Sequence, residues 1–125
     1  MSEKTLHRAV CDYIRYRYKD CLFNTDLSGV RVTPGLGGQL PSLRSRNGFP
    51  DLVIYEVRNG HYALFLELKK EGEKLYKKNG QPASEHIAEQ LDCLLELRMR
   101  GYKAEVAIGF SEAKSLIDDY LNGKL

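Results

Sequence analysis

Three charged residues in this sequence, Asp51, Glu67 and Lys69, have the side-chain types that hold a divalent cation beside a phosphate. Two carboxylates held close together repel each other, and a shared proton, a lysine or a divalent cation offsets the repulsion. Carboxylate oxygens suit Mg²⁺ or Mn²⁺, which bind through one or two carboxylates, water and substrate phosphate. This chemistry requires that the fold bring the three side chains to one place.

A β-hairpin is the element that would do so. Two apolar runs flank Asn59-Gly60, a dipeptide that is the strongest short-range signal of a hairpin. A two-residue loop at this dipeptide would place Asp51 and Glu67 on opposite faces. A three-residue loop that begins at Arg58 pairs Asp51 with Glu67 and leaves Lys69 on the same face. We therefore predict the three-residue loop.

The alternative is that these charges have no chemical role. Asp51 would then open a turn after Pro50, and Glu67 and Lys69 would solubilise an edge strand. The run 62–66 is apolar on both faces, which is typical of a central strand. Charges in such a strand are costly unless something compensates them, and this favours the cation site.

The remaining elements follow from apolar periodicity and capping residues. Ser2 and Ser84 can each cap a helix, and a last helix opens at Ser111. Short strands are predicted at 30–33 and within 103–110. The order is helix, strand, strand, strand, helix, strand, helix, which indicates an α/β domain with a mixed sheet flanked by helices.

Three polar residues on the predicted helices have an ordinary explanation. Glu3 in a first turn is favoured by the helix dipole, and His7, one turn later, is expected to be exposed. Gln90 lies near the edge of the apolar side of the second helix, where an exposed glutamine is the default. That apolar side is predicted at Ile87, Leu91, Leu94, Leu95 and Met99.

Two basic segments could contact phosphates. Arg44 and Arg46 lie on an irregular loop interrupted by Pro34 and by glycines, and we expect this loop to bring them to a phosphate backbone. The segment 70–83 is either a solvated connector or an arm that contacts nucleic acid. Its basic residues include Lys74, Lys77 and Lys78.

Length and composition limit the class of protein. The 125 residues suffice for one domain with a single core. The net charge of +2 permits nucleic-acid binding without requiring it. No stretch approaches a membrane span and the first residues lack an apolar signal core, so we expect no membrane partner and a cytoplasmic protein. Three cysteines without Cys-x-x-Cys spacing predict free thiols.

The quoted residues resemble a known family. Pro50-Asp51, followed across a hairpin by Glu67-Leu68-Lys69, resembles the PD-(D/E)xK nuclease pattern. With Glu3 on an early helix, the run 47–52 and Gln90 on a following helix, the chain is similar over nearly its whole length to the virus-type replication-repair nuclease domain, VRR-NUC. The resemblance implies a PD-(D/E)xK, restriction-endonuclease-like core in the order α-β-β-β-α-β-α.

The same resemblance implies a mechanism. Asp51, Glu67 and the backbone carbonyl of Leu68 would hold Mg²⁺ or Mn²⁺, which polarises the scissile phosphate and lowers the pKa of a bound water. Lys69 would orient that water or offset charge in the transition state.

The resemblance also adds Glu3 and Gln90 to the catalytic set. Glu3 would bind a second ion or an outer-shell water, and Gln90 would face the active site and steady the substrate. Whether one metal ion or two are bound is left open.

The expected activity follows from these roles. Stand-alone members of the family look like homodimers, and a two-fold dimer would offer two sites to a four-way junction. We predict a homodimeric, structure-selective DNA endonuclease similar to a Holliday-junction resolvase, in a bacterial or phage-infected cell. A flap or nicking nuclease is the alternative within the same chemistry. A non-catalytic nucleic-acid-binding module and a structural protein are the alternatives without it, and neither needs all three of Asp51, Glu67 and Lys69.

Overall fold

The computed structural model of this protein describes residues 1–26 and 43–125. It contains a four-stranded mixed sheet with helices on both faces. The described elements are α1 (Glu3–Arg17), β1 (Phe23–Thr25), β2 (Leu52–Ile54), β3 (Leu64–Lys69), α2 (Glu85–Met99), β4 (Lys103–Ile108) and α3 (Phe110–Leu121). The sheet order is β1-β2-β3-β4, in which β3 and β4 are parallel and the other neighbours are antiparallel. The predicted fold class and element order are confirmed.

Two element positions differ from the prediction. The strand predicted at 30–33 lies outside the described residues, and the first strand of the sheet is Phe23–Thr25, which the sequence pattern did not reveal. A strand of this length has too few residues to show alternation, and its pairing with β2 defines it. The last helix begins at Phe110 rather than Ser111, with Gly109 as its N-cap.

The turn between β2 and β3 contains two residues, so the predicted three-residue loop is wrong. Asn59 and Gly60 both have positive φ, at 51° and 85°. Arg58 and His61 exchange two backbone hydrogen bonds, of 3.1 and 2.8 Å. Asparagine followed by glycine readily supplies the two left-handed residues that a type I′ turn needs, and this local preference decides the loop length.

The strands nevertheless pair in the predicted register. Leu52 pairs with Leu66, so the next position along the hairpin sets Asp51 beside Glu67. Between the ladder and the turn, the β2 side carries three residues, 55–57, against two on the β3 side. This extra residue forms a β-bulge. Without the bulge, a two-residue turn would shift the pairing by one residue, and with it Asp51 pairs beside Glu67.

Tyr120 of α3 holds the bulge in place. Its hydroxyl donates to the Glu56 carbonyl at 2.6 Å and lies 3.3 Å from the His61 carbonyl. The Tyr120 side chain is fully buried. A carbonyl that the bulge leaves outside the sheet ladder is therefore satisfied from the core.

The two faces of the sheet bury different helices. Helices α1 and α3 pack on the face that carries Leu52, Leu66 and Leu68. Helix α2 packs on the other face, through Cys93, Leu94 and Leu97 against Phe65 and Ala104. Because side chains alternate along a strand, Glu67 and Lys69 share the face of Phe65 and point toward α2. Strand β3 is central, with burial on both faces, as predicted.

The helix starts are as expected, but the buried side of α2 is not. The Ser2 and Ser84 hydroxyls each accept a hydrogen bond of 3.1 Å from a first-turn backbone N–H. Leu95 and Met99 are 53% and 75% exposed, so their predicted place in the core is wrong. The residues of α2 that are buried are Ile87, Gln90, Cys93, Leu94 and Leu97. No helix in the described part of the chain is long and apolar enough to cross a bilayer.

Candidate active site

Asp51 directly precedes β2, at the edge of the strand pair where β3 extends beyond the first residue of β2. Its Oδ2 accepts a hydrogen bond of 2.8 Å from the Leu68 N–H, a donor that β2 is too short to pair. The Lys69 carbonyl accepts from Gly109 on the β4 side. Successive carbonyls point to opposite sides of a strand, so the Leu68 carbonyl is directed to the side on which Asp51 lies. The Leu68 carbonyl, which is the predicted backbone ligand, therefore faces the same side of β3 as its N–H.

The loop before Asp51 rests directly on α2. Gly48 has a φ of 92°, and a Cβ on it would lie 2.6 Å from the Glu89 carbonyl oxygen and 3.0 Å from the Gln90 nitrogen. Only glycine allows both this conformation and this approach. The contact fixes the distance between Asp51 and the helix that carries Gln90.

Glu67 lies beneath Asp51 and is held by two neighbours. It is 2% exposed, although it is a carboxylate in the middle of the core. Gln90 Nε2 donates to Glu67 Oε1 at 2.8 Å, and Lys69 Nζ lies 3.6 Å from the same oxygen. Lys69 Nζ also lies 3.9 Å from Glu73 Oε1. Gln90, whose default position was exposed, is thus buried and bound to Glu67.

The second oxygen of Glu67 is unsatisfied. Among the described residues, Glu67 Oε2 has no hydrogen-bond partner while both carboxyls are ionised. Burial, then the adjacent charge of Asp51 and a hydrogen bond with it, raises the pKa of Glu67 to about 9, against the opposing effect of Lys69. A proton shared with Asp51 supplies the missing partner. A hard divalent cation would satisfy the same oxygens without that proton, so the donor set fits Mg²⁺ or Mn²⁺.

Helix α1 brings two more side chains to Asp51. His7 Nε2 lies 3.7 Å from Asp51 Oδ2 and 4.0 Å from Glu3 Oε1. Ligand atoms of these three residues all lie within 4.8 Å of one another. His7 Nε2 is buried without a hydrogen-bond partner in the described structure, and the side chain is 25% exposed. The expectation of an exposed His7 is therefore wrong.

Sequence reasoning missed His7 although a signal was available. Residues four apart on a helix share a face, so an acidic Glu3 close to the site carries His7 there with it. The start of α1 does lie against the end of the hairpin, as the resemblance required for Glu3.

Among the described residues, none of the predicted DNA-contacting side chains forms a hydrogen bond or ion pair with Asp51, Glu67 or Lys69. Arg44 forms an ion pair of 2.6 Å with Asp26, and Arg46 is partly buried, with an Nε that has no hydrogen-bond partner within the described ranges. The part of their loop before residue 43 lies outside the described residues. Lys74, Lys77 and Lys78 are exposed in the segment between β3 and α2, as is Lys70.

Comparison with known proteins identifies the fold. No protein-family model matches the sequence, and no curated protein does either. A solved structure of a "VRR_NUC domain protein" superimposes with a TM-score of 0.70, covering 98% of this chain and 90% of its own, at 20% sequence identity. The predicted VRR-NUC fold is thereby confirmed. At this identity the likeness shows the fold, and the chemistry must be argued from the side chains.

Proposed function

We propose that this chain, which has the VRR-NUC fold, is a metal-dependent nuclease that hydrolyses phosphodiester bonds in DNA. The observation that carries the proposal is the convergence of Asp51, Glu67 and Lys69 where β2 ends beside β3. Glu67 and Lys69 are 2% and 5% exposed, so both charges are removed from water. A binding module or a structural protein has no need for so costly an arrangement.

The cation would be held by Asp51, Glu67 and the Leu68 carbonyl. The unpartnered Oε2 of Glu67 supports this assignment, because buried oxygens normally have a partner. When bound, Mg²⁺ or Mn²⁺ supplies Lewis-acid chemistry that polarises a phosphate and makes water more acidic.

The chain's own residues have separate tasks in this proposal. Gln90 holds Glu67 Oε1 and so leaves Oε2 to the cation. The Leu68 N–H fixes the orientation of the Asp51 carboxylate. Lys69 Nζ, near both Glu67 and Glu73, orients the attacking water or offsets the negative charge that develops on the phosphate. Glu3, which is 52% exposed, lies at the rim, where it can bind an outer-shell water or a second ion.

The substrate we propose is branched DNA. The exposed lysines 74, 77 and 78 lie in the segment between β3 and α2 and would contact the phosphate backbone outside the site. A homodimer would present two such sites to two of the four strands of a four-way junction, since a two-fold dimer matches a two-fold substrate. Gel filtration with light scattering tests this part, and a monomer at assay concentration would remove the basis for the junction preference.

Cleavage assays test the function itself. Labelled four-way junction, flap, single-stranded and duplex DNA are incubated with Mg²⁺, Mn²⁺ or EDTA. Wild type is compared with Asp51→Asn and Lys69→Ala, and with Asp92→Asn as a control for loss of an exposed acid. We expect cation-dependent cutting by wild type and the control alone. A preference for flaps or nicks would replace the junction assignment.

Binding without any cutting would indicate a non-catalytic nucleic-acid-binding module. That outcome requires that wild type bind all four DNAs and cleave none with either cation. Cutting that persists in EDTA or in Asp51→Asn would equally refute the proposed chemistry.

A further inference from the structure

Resting on the proposed function, we propose that His7 is a nitrogen ligand for a divalent cation on the α1 side of Asp51, and that it makes the site favour Mn²⁺ over Mg²⁺. Glu3 and Asp51 are the oxygen ligands of this subsite. The residues thus extend the carboxylate pair of Asp51 and Glu67 by a donor of a different chemical kind.

The position of His7 is set by the packing of α1. Leu6 and Val10 are each 1% exposed and belong to the core against β2 and β3. The first turn is fixed by the Ser2 cap. These contacts leave little freedom to the face of α1 that lies next to Asp51, so the approach of His7 is a property of the fold.

His7 Nε2 forms no hydrogen bond with the two carboxylates that surround it. A charge-assisted hydrogen bond to a carboxylate spans about 2.7–2.9 Å. The distances of 3.7 Å to Asp51 and 4.0 Å to Glu3 exceed this range. The nitrogen is also buried, and no described residue gives it a hydrogen bond. The ring nitrogen is thus buried between two carboxylates and forms a hydrogen bond with neither. These are the surroundings of a metal ligand.

An independent observation on the other side of Asp51 also points to a cation. Glu67 is 98% buried, since only 2% of it is exposed, and its Oε2 has no partner among the described residues. Asp51 thus has an unsatisfied donor atom on each side, Glu67 Oε2 and His7 Nε2.

The span of the cluster suits one ion. Two ligands on opposite sides of a small divalent cation, each about 2.1 Å away, lie about 4.2 Å apart. The ligand atoms of Glu3, His7 and Asp51 lie within 4.8 Å of one another. Glu3 is 52% exposed, so its side chain has room to rotate inward. Such a rotation brings its carboxylate to ligand distance from the same ion.

The nitrogen donor decides the preference among cations. Mg²⁺ favours oxygen ligands and gives up its water reluctantly. Mn²⁺ also binds well to carboxylate oxygens, but as the first ion of the divalent transition-metal series it accepts an imidazole nitrogen more readily than Mg²⁺ does. His7 therefore strengthens the binding of Mn²⁺ and adds little to that of Mg²⁺.

Calorimetric titration of the DNA-free protein with Mn²⁺ and with Mg²⁺ tests the preference. We compare wild type, His7→Gln and a control, His86→Gln, which removes an exposed histidine from α2. The Kd for Mn²⁺ is expected to rise on the order of tenfold in His7→Gln, while that for Mg²⁺ changes by less than about threefold. The control is expected to match wild type. An unchanged ratio of the two Kd values in His7→Gln would overturn the assignment.

A spectroscopic measurement on wild type detects a bound histidine nitrogen directly, and the same two variants identify which histidine supplies it. Mn²⁺ is bound to protein whose histidines carry the heavy nitrogen isotope, and the electron spin echo is recorded. We expect modulation from a histidine nitrogen that is retained in His86→Gln and lost in His7→Gln. If cleavage requires Asp51 but bound Mn²⁺ shows no histidine coupling, the His7 assignment fails and the proposed function stands. Failure of wild type to bind either cation would overturn both.

Discussion

Replacing Glu67 by glutamine separates the effect of its buried charge from its shape. Burial and Asp51 raise the pKa of Glu67 to about 9 from 4.5, so the folded protein holds a proton there that the unfolded chain releases above pH 4.5. The folding stability that depends on this group is fully present below pH 4.5. It is lost as pH rises toward 9, because the unfolded state then binds fewer protons than the native state. Glutamine mimics the protonated acid and has no such dependence.

The size of the effect follows from the difference in pKa. Each pH unit between the two pKa values costs about 1.4 kcal/mol of unfolding free energy. From pH 4.5 to pH 7 the loss amounts to about 3 kcal/mol, a large share of the stability of a small domain. Relative to wild type, metal-free Glu67→Gln should therefore gain roughly that amount on going from pH 5 to pH 7.5.

Urea denaturation of both proteins in EDTA, at several pH values from 5 to 8, measures this difference. Groups other than residue 67 titrate in both proteins, and their contributions cancel in the comparison. Glu85→Gln is the matched control, since Glu85 is exposed and close to the start of α2. Adding Mn²⁺ at pH 7.5 should then stabilise wild type more than Glu67→Gln, because the variant lacks one carboxylate ligand of the cation.

Parallel stability curves for wild type and Glu67→Gln would refute this reasoning. They would mean that Glu67 is ionised in the metal-free protein and that Lys69 compensates its charge in full. A difference that appears equally in Glu85→Gln would point instead to the overall charge of the protein.

Three further predictions concern other parts of the structure. Gly48→Ala should lower the unfolding free energy by at least about 1 kcal/mol and weaken Mn²⁺ binding, since the methyl group collides with the α2 backbone; urea denaturation and calorimetry measure both, and wild-type values would contradict the contact. Tyr120→Phe should cost about 1–2 kcal/mol by orphaning the Glu56 carbonyl of the bulge; no loss in urea denaturation would show that the hydroxyl does not support the bulge. Lys77→Ala should reduce the salt dependence of DNA binding by about one counterion without changing the Kd for Mn²⁺; a fluorescence anisotropy titration at several salt concentrations with an unchanged slope would exclude a phosphate contact.

Local chemistry made much of the hairpin predictable. Asn59-Gly60 marks the turn, and strands on either side of a turn must be neighbours. A three-residue loop needs a left-handed residue only at Gly60, whereas the structure has two left-handed residues, Asn59 and Gly60. The structure satisfies both by means of a bulge, whose carbonyl bonds to Tyr120 of a distant helix. No residue within the hairpin could have revealed that partner.

The buried polar residues show the same division. Ser2 and Ser84 act on donors three residues away, so the sequence by itself determined where α1 and α2 begin. The buried amide of Gln90, by contrast, donates to Glu67, which lies 23 positions earlier in the chain. From the helical pattern alone, a glutamine is expected to face solvent. Only the tertiary structure decided that Gln90 is buried.

The site as a whole therefore has two origins. The order of elements, the strand alternation of Glu67 and Lys69 and the position of Asp51 before an apolar run are local properties, and the sequence determined them. The approach of His7 to Asp51 and the burial of Glu67 arise because helices from separate parts of the chain pack on opposite faces of one sheet. Side-chain types and spacing act over a few residues, whereas burial and proximity depend on the packing of the whole core, and only the tertiary structure decides them.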